Sequence, residues 1–364
     1  MEDVLIKDKN TLKRGWTTGA CALAATQAAY TALLTGTFPD PVKISLPQGE
    51  TPSFPLALEN LVGGVAKAGI IKDAGDDPDV THGVLVIAAV RLIKDNEVKF
   101  VGGQGIGRVS LPGLPLPVGE PAINPKPREM ICSAIRKLAD HYSHAGGVEV
   151  EIAIPGGEVL AEKTWNSRLG ITGGLSILGT TGVVRPFSCS AWIHSIHRGI
   201  DVARANGLQH IAGSTGKTSE SAVKEIYSLP VHALVDMGDF AGGMLKYLRH
   251  NPVSRVTIAG GFAKITKLAQ GFLDLHSGRS QVDFEWLASS AVTLGANSEL
   301  IDKVRNAKSA GRVLQLSQRH NISIGNWVAD RAAETALRVL ADSPIKLDVR
   351  VFDRGGALVG QSNL

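Results

Sequence analysis

Four carboxylates lie close together in one short segment of this chain, beside a lysine and two glycines. The lysine is Lys72, and the acids are Asp73, Asp76, Asp77 and Asp79. Clustered acids can accept a proton in catalysis, because like-charged neighbours raise the pKa of at least one of them towards the working range. The plainer interpretation is a solvated turn, since Asp, Gly and Pro are common turn residues. A calcium loop is disfavoured, because the EF-hand spacing and its distant glutamate are missing.

The acids are expected in a loop beside a sheet. Gly75 admits a positive φ, and Pro78 fixes its own φ and donates no backbone hydrogen bond, so the two residues interrupt regular structure. The apolar run 84–90 that follows is typical of a buried strand. The acidic loop therefore lies at the edge of a predicted strand.

Three further segments share this density of glycine, proline and polar residues. They are RGWTTGACA at 14–22, PGLPLPVGEPAINP at 112–125 and NSRLGITGGLSILGTTG at 166–182. Nearly residue for residue, they resemble the signature segments of the cobalt-precorrin-5B C(1)-methyltransferase (CbiD) family. The resemblance covers most of the chain and is strongest from 14 to 186. It implies methylation of C-1 of cobalt-precorrin-5B by S-adenosylmethionine, to give cobalt-precorrin-6A in anaerobic vitamin B12 synthesis.

Such a reaction asks the protein to align two substrates, to exclude water and to accept a proton. The four aspartates are the candidates for the proton acceptor, and so for catalysis. Polar and basic side chains would hold the peripheral carboxylates of an anionic corrinoid through charge-assisted hydrogen bonds. These substrate-binding candidates are Thr17, Thr18, Lys72, Arg108, Asn124, Arg168, Thr180, Thr181 and Arg185. Any cobalt would arrive within the substrate, and no metal bound by the protein itself is expected.

A second candidate site lies in the C-terminal half, where glycine and aspartate follow three successive predicted strands. The carboxyl ends of such strands form the ligand crevice of α/β folds. The candidates for binding S-adenosylmethionine are Gly213, Ser214, Thr215, Gly216, Asp236, Asp239, Gly260 and Gly261. Asp236 or Asp239 could accept hydrogen bonds from the ribose hydroxyls. Tight turns and a helix-capping aspartate are the plainer alternatives.

The segment GSTGKT at 213–218 also resembles a Walker A loop. A P-loop needs a glycine five residues before Gly216, but that residue is Ile211. Two alternative functions therefore stay open beside the methyltransferase. One is a P-loop-like phosphotransferase, and the other is a non-catalytic tetrapyrrole-binding protein.

The elements that must position the first site are expected to form an α+β domain, residues 1–195, which would bind the corrinoid. A helix capped by Thr17 or Thr18 ends at Gly36, and a second helix covers 127–142. Strands are predicted at 42–46, 53–58, 84–93, 97–101, 148–154 and 159–164, several of them as hairpins.

The second site is expected in an α/β, Rossmann-like domain with a mostly parallel sheet, residues 196–364, which would bind S-adenosylmethionine. After a helix at 188–206, strands alternate with helices through short loops, which is typical of a doubly wound sheet. The predicted strands cover 209–212, 232–236 and 253–259, and the helices cover 217–228, 240–250 and 264–273. Helices dominate 284–340, and a strand pair at 345–351 and 357–360 follows.

Composition supports a two-domain globular enzyme. The chain has 364 residues, of which 44% are hydrophobic and 20% charged. Its three cysteines are Cys21, Cys132 and Cys189; they form no C-x-x-C pair, which favours a cytoplasmic location over a disulfide framework or a zinc site. The formal charge of +4 is dispersed, so no nucleic-acid partner is expected, and no run is apolar enough to predict a membrane partner. Assembly into a homo-oligomer stays open.

Overall fold

The computed structural model describes residues 12–363 of the protein, which contain α-helices and sheets of mixed parallel and antiparallel strands. The chain divides into two compact units after Ser188. The sequence-based boundary lay at 195/196, whereas in the structure the helix that begins at Cys189 belongs wholly to the second unit. Within the described residues, no helix combines the length and apolar character that crossing a membrane would require.

The first unit is built from strands and three helices in its described part. In chain order these are β1 (Gly15–Trp16), α1 (Thr18–Thr35), β2 (Val42–Lys43), β3 (Ser53–Phe54), β4 (Leu58–Val62), β5 (Val65–Ile71), β6 (Leu85–Ile93), β7 (Val98–Gly102), β8 (Arg108–Val109), α2 (Pro125–His141), β9 (Gly147–Ala153), α3 (Gly157–Ala161), β10 (Ile171–Thr172) and β11 (Val183–Val184). The largest sheet has the strand order β4-β5-β6-β9-β7. All its neighbours are antiparallel except β9 and β7, which are parallel.

Helix α1 lies at the centre of the first unit, where it packs against β5, β6 and α2. The Oγ1 of Thr17 accepts a hydrogen bond from the Ala20 N–H at 3.1 Å, and Gly36 adopts the left-handed conformation that ends the helix. Both predicted ends are therefore confirmed. The helix sequence contains no charged residue and its alanines are buried, so small side chains allow close approach on several sides.

The first unit differs from the sequence-based expectation in its pairing. Strands β6 and β7 do not form a hairpin, because β9 lies between them. Residues 159–164 are not a strand, since α3 covers the start of this segment, and a Cβ on Gly157 would lie 2.4 Å from the Gly105 carbonyl oxygen. The hairpin β4–β5 was not predicted, although Gly63 and Gly64, both with positive φ, carry the usual signal of a tight hairpin turn.

The second unit alternates strands and helices and then continues as a helical segment. Its elements are α4 (Cys189–Ala205), β12 (His210–Ser214), α5 (Lys217–Tyr227), β13 (Leu234–Asp236), α6 (Ala241–His250), β14 (Arg255–Gly261), α7 (Phe262–Ala269), α8 (Phe284–Thr293), α9 (Ser298–Arg305), α10 (Ala310–Arg319), α11 (Ile324–Leu340), β15 (Lys346–Phe352) and β16 (Leu358–Gln361). The sheet has the order β13-β12-β14-β15-β16, in which only β16 is antiparallel to its neighbour. Its register places Ser214 beside both Asp236 and Ala259, so the carboxyl ends of three parallel strands meet.

Candidate functional site

The acidic loop is closed by the backbone of the two strands that it joins. The N–H of Lys72 donates to the Val84 carbonyl at 2.9 Å, and the N–H of Gly83 donates to the Lys72 carbonyl at 2.8 Å. The N–H of Trp16 donates to the Asp73 carbonyl at 2.7 Å, just before α1 begins. The loop is thus fixed both to its own sheet and to the start of the central helix.

Asp79 is held by a buried cation. The Nζ of Lys72, a residue only 1% exposed, donates to Asp79 Oδ2 at 2.6 Å. The other oxygen, Oδ1, accepts hydrogen bonds from the Thr81 N–H at 2.7 Å and the Thr81 hydroxyl at 2.6 Å. Burial raises the pKa of Asp79, but the ammonium of Lys72 and the Thr81 hydrogen bonds outweigh it, and the pKa lies below the ordinary value. Lys72 was predicted to hold a substrate carboxylate, whereas in the structure its ammonium is buried and bonded to Asp79, where it fixes the loop.

Asp73 is also paired, on the exposed side of the loop. Its Oδ2 accepts from Lys13 Nζ at 2.6 Å and its Oδ1 from the Gly75 N–H at 2.8 Å. The hydrogen bond from Lys13 lowers the pKa of Asp73, with a further contribution from Gly75. Neither Asp73 nor Asp79 is therefore the acid with the raised pKa that the sequence predicted, because each carboxylate accepts a hydrogen bond from a lysine ammonium.

Asp76 and Asp77 bind backbone N–H groups of neighbouring segments. Asp76 Oδ2 accepts from the Lys13 N–H at 2.9 Å, and Asp77 Oδ1 accepts from the Phe187 N–H at 2.9 Å. Phe187 has a φ of +55°, which is an uncommon conformation for a residue with a side chain. The acidic loop thus connects the segment before α1 to the segment after β11.

Several predicted substrate-binding residues come together around the loop 176–182. The Thr18 hydroxyl donates to the Leu178 carbonyl at 3.2 Å and accepts from the Leu178 N–H at 3.1 Å. The Asn124 N–H donates to the Ile177 carbonyl at 3.0 Å. Two helix N-termini, those of α1 and α2, therefore border one stretch of backbone, and Thr180 and Thr181 follow it directly.

The side chains in this cluster divide into two groups. The hydroxyls of Thr17 and Thr18 are buried, and each accepts a hydrogen bond from a backbone N–H group. The Thr181 hydroxyl accepts from the Val183 N–H at 3.2 Å. Asn124 lies at the N-terminus of α2 without capping it, and Thr180 is exposed. The hydroxyls of Thr17, Thr18 and Thr181 therefore shape the loop, whereas Thr180 is turned to solvent beside it.

The predicted arginines lie on or beside two short pairs of antiparallel strands, β8–β10 and β1–β11. Arg108 of β8 pairs with Thr172 of β10, and its guanidinium donates to the Gly119 carbonyl at 3.0 Å. Arg168 lies in the 3₁₀ turn just before β10, and the exposed Arg185 follows β11, the partner of β1. Arg108 and Arg168 therefore border one ladder, and Arg185 borders the other.

In the second unit, the loops after three strands are joined by backbone hydrogen bonds. The Thr215 N–H donates to the Ala259 carbonyl at 2.9 Å, and the N–H groups of Met237 and Gly238 donate to the Ser214 carbonyl at 3.0 and 3.2 Å. The predicted residues at the ends of β12, β13 and β14 are thus brought together. The Trp192 indole N–H, which the sequence did not single out, donates to the Asp236 carbonyl at 3.0 Å.

The four predicted glycines have different roles. A Cβ on Gly213 would lie 2.3 Å from the Met244 sulfur, and one on Gly260 would lie 2.7 Å from Ile265, so these two glycines serve close packing. Gly216 and Gly261 precede α5 and α7 without any side-chain cap, and no heavy atom lies within 4 Å of a Cβ built on Gly216. The first N–H groups of both helices are therefore available to a polar or anionic ligand group.

The polar side chains at these strand ends include one buried group without a partner. The Ser214 hydroxyl is fully buried, and no described residue hydrogen-bonds to it. Lys264 of α7 donates from Nζ to the Thr215 carbonyl at 2.9 Å and faces Asp239 Oδ1 at 3.0 Å, as an ion pair without hydrogen-bond geometry. Lys264 was left out of the predicted site, although its position four residues after Gly260 could have pointed to it.

The connection between β12 and α5 does not fit a P-loop. Strand β12 continues to Ser214 and α5 begins at Lys217, so only two residues connect them. Ile211, at the position of the missing glycine, is buried within the strand. A phosphate-cradling loop needs several residues of free backbone before its lysine, so this geometry argues against phosphotransfer.

Comparison with known proteins agrees with the resemblance of the N-terminal segments. A protein of Bradyrhizobium named cobalt-precorrin-5B C(1)-methyltransferase is 60% identical over 351 residues, 96% of this chain and 93% of its own. The CbiD family matches residues 5–186, and the CbiD C-terminal domain matches 274–363. The chain belongs to the CbiD family.

Two further CbiD proteins are similar to this chain to different degrees. A protein of Brucella anthropi with the same name is 55% identical over 356 residues, 98% of this chain and 97% of its own. The solved structure of a cobalamin biosynthesis protein (cbiD) from Archaeoglobus fulgidus aligns with 85% of each chain, at 24% identity and a TM-score of 0.39. The two CbiD matches do not include residues 187–273, which carry the strand ends of β12, β13 and β14.

Proposed function

We propose that this CbiD protein methylates C-1 of cobalt-precorrin-5B, with S-adenosylmethionine as the methyl donor, as a step of cobalamin biosynthesis. The observation that carries the proposal is near full-length similarity to relatives named cobalt-precorrin-5B C(1)-methyltransferase. In this transfer, C-1 attacks the methyl carbon, the carbon–sulfur bond breaks with its electron pair staying on sulfur, and the macrocycle loses a proton. The protein supplies alignment, exclusion of water and a proton acceptor.

The donor is assigned to the carboxyl ends of β12, β13 and β14, in a Rossmann-like arrangement. Strands β13 and β14 lie on opposite sides of β12, and ligands of doubly wound sheets bind where the strand order reverses in this way. The buried Ser214 hydroxyl, to which no residue in the described part of the chain hydrogen-bonds, and the uncapped start of α5 fit a polar ligand. The carboxylate of Asp236 would accept hydrogen bonds from the ribose hydroxyls.

The corrinoid is assigned to the first unit. Three features support this assignment. Neighbouring segments are hydrogen-bonded to the acidic loop, and two helix N-termini lie near Leu178. The third feature is the set of cations Arg108, Arg168 and Arg185. A corrinoid precursor carries several carboxylates, and guanidinium groups bind carboxylates through paired, charge-assisted hydrogen bonds. Asn124 and Thr180 add polar side chains near Leu178.

Two of the four aspartates, Asp76 and Asp77, remain the candidates for the proton acceptor. A general base works best when its pKa lies near the working pH, and the cations beside Asp73 and Asp79 lower the pKa of both. Asp76 is exposed and Asp77 is half-buried. Asp76 accepts from the Lys13 N–H and Asp77 from the Phe187 N–H, and neither belongs to the buried Lys72–Asp79 pair, so each can be substituted while that pair is kept.

The test is a titration of the protein with S-adenosylhomocysteine and, separately, with ATP and Mg²⁺ in a calorimeter. Binding of S-adenosylhomocysteine but not of ATP is expected. Asp236→Ala should weaken that binding by about 1 to 3 kcal/mol, the cost of losing a hydrogen bond to a charged group. Asp302→Ala, which removes an exposed ion pair with Arg305 in the same unit, is the matched control.

Three outcomes would contradict parts of this proposal. Binding of ATP alone would favour the phosphotransferase, and binding of a corrinoid without either nucleotide would favour the tetrapyrrole-binding protein. If Asp236→Ala keeps full affinity for S-adenosylhomocysteine with its fold intact, Asp236 does not belong to the donor site.

A further inference from the structure

Lys264 joins the three strand ends through a single ammonium group. It lies in the first turn of α7, directly after β14, and donates to the carbonyl of Thr215, which follows β12. The same Nζ lies 3.0 Å from the carboxylate of Asp239, which follows β13. A lysine ammonium has three N–H groups, and of these two contacts only the one to Thr215 has hydrogen-bond geometry. The Lys264 side chain is 36% exposed, which leaves an N–H group accessible to a ligand.

A second lysine lies close to Lys264 within α7. A cation in the first turn of a helix is disfavoured by the helix dipole, which favours an anion there. One turn later lies Lys267, which is only 7% exposed and donates to the Leu275 carbonyl at 2.8 Å. Asp274 also lies close enough to Lys267 to interact with its charge, and it is bonded to Arg279 at 3.1 Å. An added carboxylate would therefore be stabilised at this point.

Opposite charges held side by side match one chemical group in particular. A free amino-acid end carries an ammonium and a carboxylate on the same carbon, and S-adenosylmethionine has such an end. Asp239 is 23% exposed in its side chain, so both members of the pair remain partly accessible. The start of α7, which has no side-chain cap, lies beside Lys264 and also favours a carboxylate.

We infer that Lys264 and Asp239 bind the amino-acid end of the methyl donor, an inference that rests on the proposed function. The ammonium of Lys264 donates to the donor's α-carboxylate, and Asp239 accepts from its α-ammonium. Asp236 is then the acid that remains for the ribose. The pair discriminates complete donors from nucleosides that lack the amino acid.

The test compares two ligands that differ only in the amino-acid end. S-adenosylhomocysteine carries it, and 5′-methylthioadenosine keeps the adenosine and the sulfur without it. Lys264→Met keeps an unbranched side chain and removes the charge, and Asp239→Asn removes the opposite charge. Each variant should bind S-adenosylhomocysteine about 10- to 100-fold more weakly, the loss of one charge-assisted hydrogen bond, and should bind 5′-methylthioadenosine as the unchanged protein does. Lys264→Arg should recover part of the affinity.

The control is Lys246→Met, which removes an exposed lysine from α6 in the same unit and should change neither affinity. Equal weakening of both ligands by Lys264→Met and Asp239→Asn would overturn the inference, because it would mean that the pair only holds the loops in place. Unchanged binding of S-adenosylhomocysteine by both variants would overturn it as well. If the unchanged protein binds neither ligand, the proposed function itself fails. Asp239→Asn decides the question alone if Lys264→Met does not fold.

Discussion

The Nζ of Lys72 lies 2.6 Å from Oδ2 of Asp79, and almost none of the lysine is exposed to solvent. Lys13 and Asp73 are equally close, at 2.6 Å, but their side chains are 67% and 44% exposed. One loop therefore carries a buried and an exposed ion pair of the same length. Solvent screening weakens the exposed pair, whereas removing one partner of the buried pair leaves a charge without compensation.

This contrast predicts different costs for two similar substitutions. Asp79→Asn should lower the free energy of unfolding by about 3 kcal/mol, because the buried ammonium of Lys72 loses its counter-charge. Asp73→Asn should cost less than about 1 kcal/mol. Urea unfolding followed by circular dichroism measures both, and Lys72→Met combined with Asp79→Asn should recover part of the loss. Equal costs for the two single variants would show that burial of Lys72 does not govern the stability of the loop.

The contribution of Asp79 to stability should depend on pH in a defined direction. Its pKa in the folded protein lies below the ordinary value of 3.8, so the unfolded chain binds the proton more readily. The stabilisation is therefore fully present above about pH 4 and is lost as the pH falls through the folded-state pKa. Melting temperatures of the unchanged protein and of Asp79→Asn should converge in acid. A gap that stays constant from pH 7 to the acid limit would exclude this linkage.

The proton acceptor should be found by substitution of Asp76 and Asp77, the two acids outside the Lys13–Asp73 and Lys72–Asp79 pairs. Asn keeps the size and turn-forming capacity of Asp, so Asp76→Asn and Asp77→Asn remove only the charge. At least one should lower turnover of cobalt-precorrin-5B by about 10² to 10⁴ while the melting temperature changes little. Asp73→Asn is the control, with turnover near normal. If Asp76→Asn and Asp77→Asn both keep normal turnover, the loop is structural and the acceptor is water or a substrate carboxylate.

The thiol of Cys21 should resist alkylation in the folded protein. Burial raises its pKa to about 12, with Asp73 and Asp79 adding to the effect against Lys72. The thiolate is the reactive form, so little of it exists at pH 8. Iodoacetamide followed by peptide mass analysis should label Cys132 and Cys189, which are half-buried, long before Cys21. Addition of urea should make all three react, and rapid labelling of Cys21 without urea would contradict its burial.

The division of ligands between the units predicts the behaviour of a fragment. Residues 189–364 should bind S-adenosylhomocysteine with an affinity close to that of the whole chain, because the donor candidates all lie within the second unit. The same fragment should not bind a corrinoid. Circular dichroism first establishes that the fragment is folded. Corrinoid binding by the folded fragment would refute this division of labour.

Local signals explain which elements the sequence predicted well. Thr17 and Gly36 fix the ends of α1 through hydrogen bonds and backbone conformation that involve only neighbouring residues. In the second unit, short loops between alternating strands and helices leave few alternatives to parallel pairing, and the sheet contains all the predicted strands.

Long-range pairing explains what the sequence did not predict. Strand β9 inserts between β6 and β7 although some fifty residues separate it from their connecting turn, and no local signal marks that choice. Lys72 was expected to hold a carboxylate of an anionic substrate, and only the fold shows that it is enclosed beside Asp79. Lys264 illustrates the same point, since its role depends on loops that follow two other strands.

The pairing of β1 with β11 has a consequence for folding during synthesis on the ribosome. Gly15 and Trp16 lie opposite Val184 and Val183, and Thr18 exchanges hydrogen bonds with Leu178. Synthesis proceeds from the N-terminus, so the charge-free helix α1 emerges long before the residues that cover its first turn. Helix α1 can pack against β5, β6 and α2 earlier, but until about residue 184 has left the exit tunnel the start of the helix lacks its partners in β11 and at Leu178.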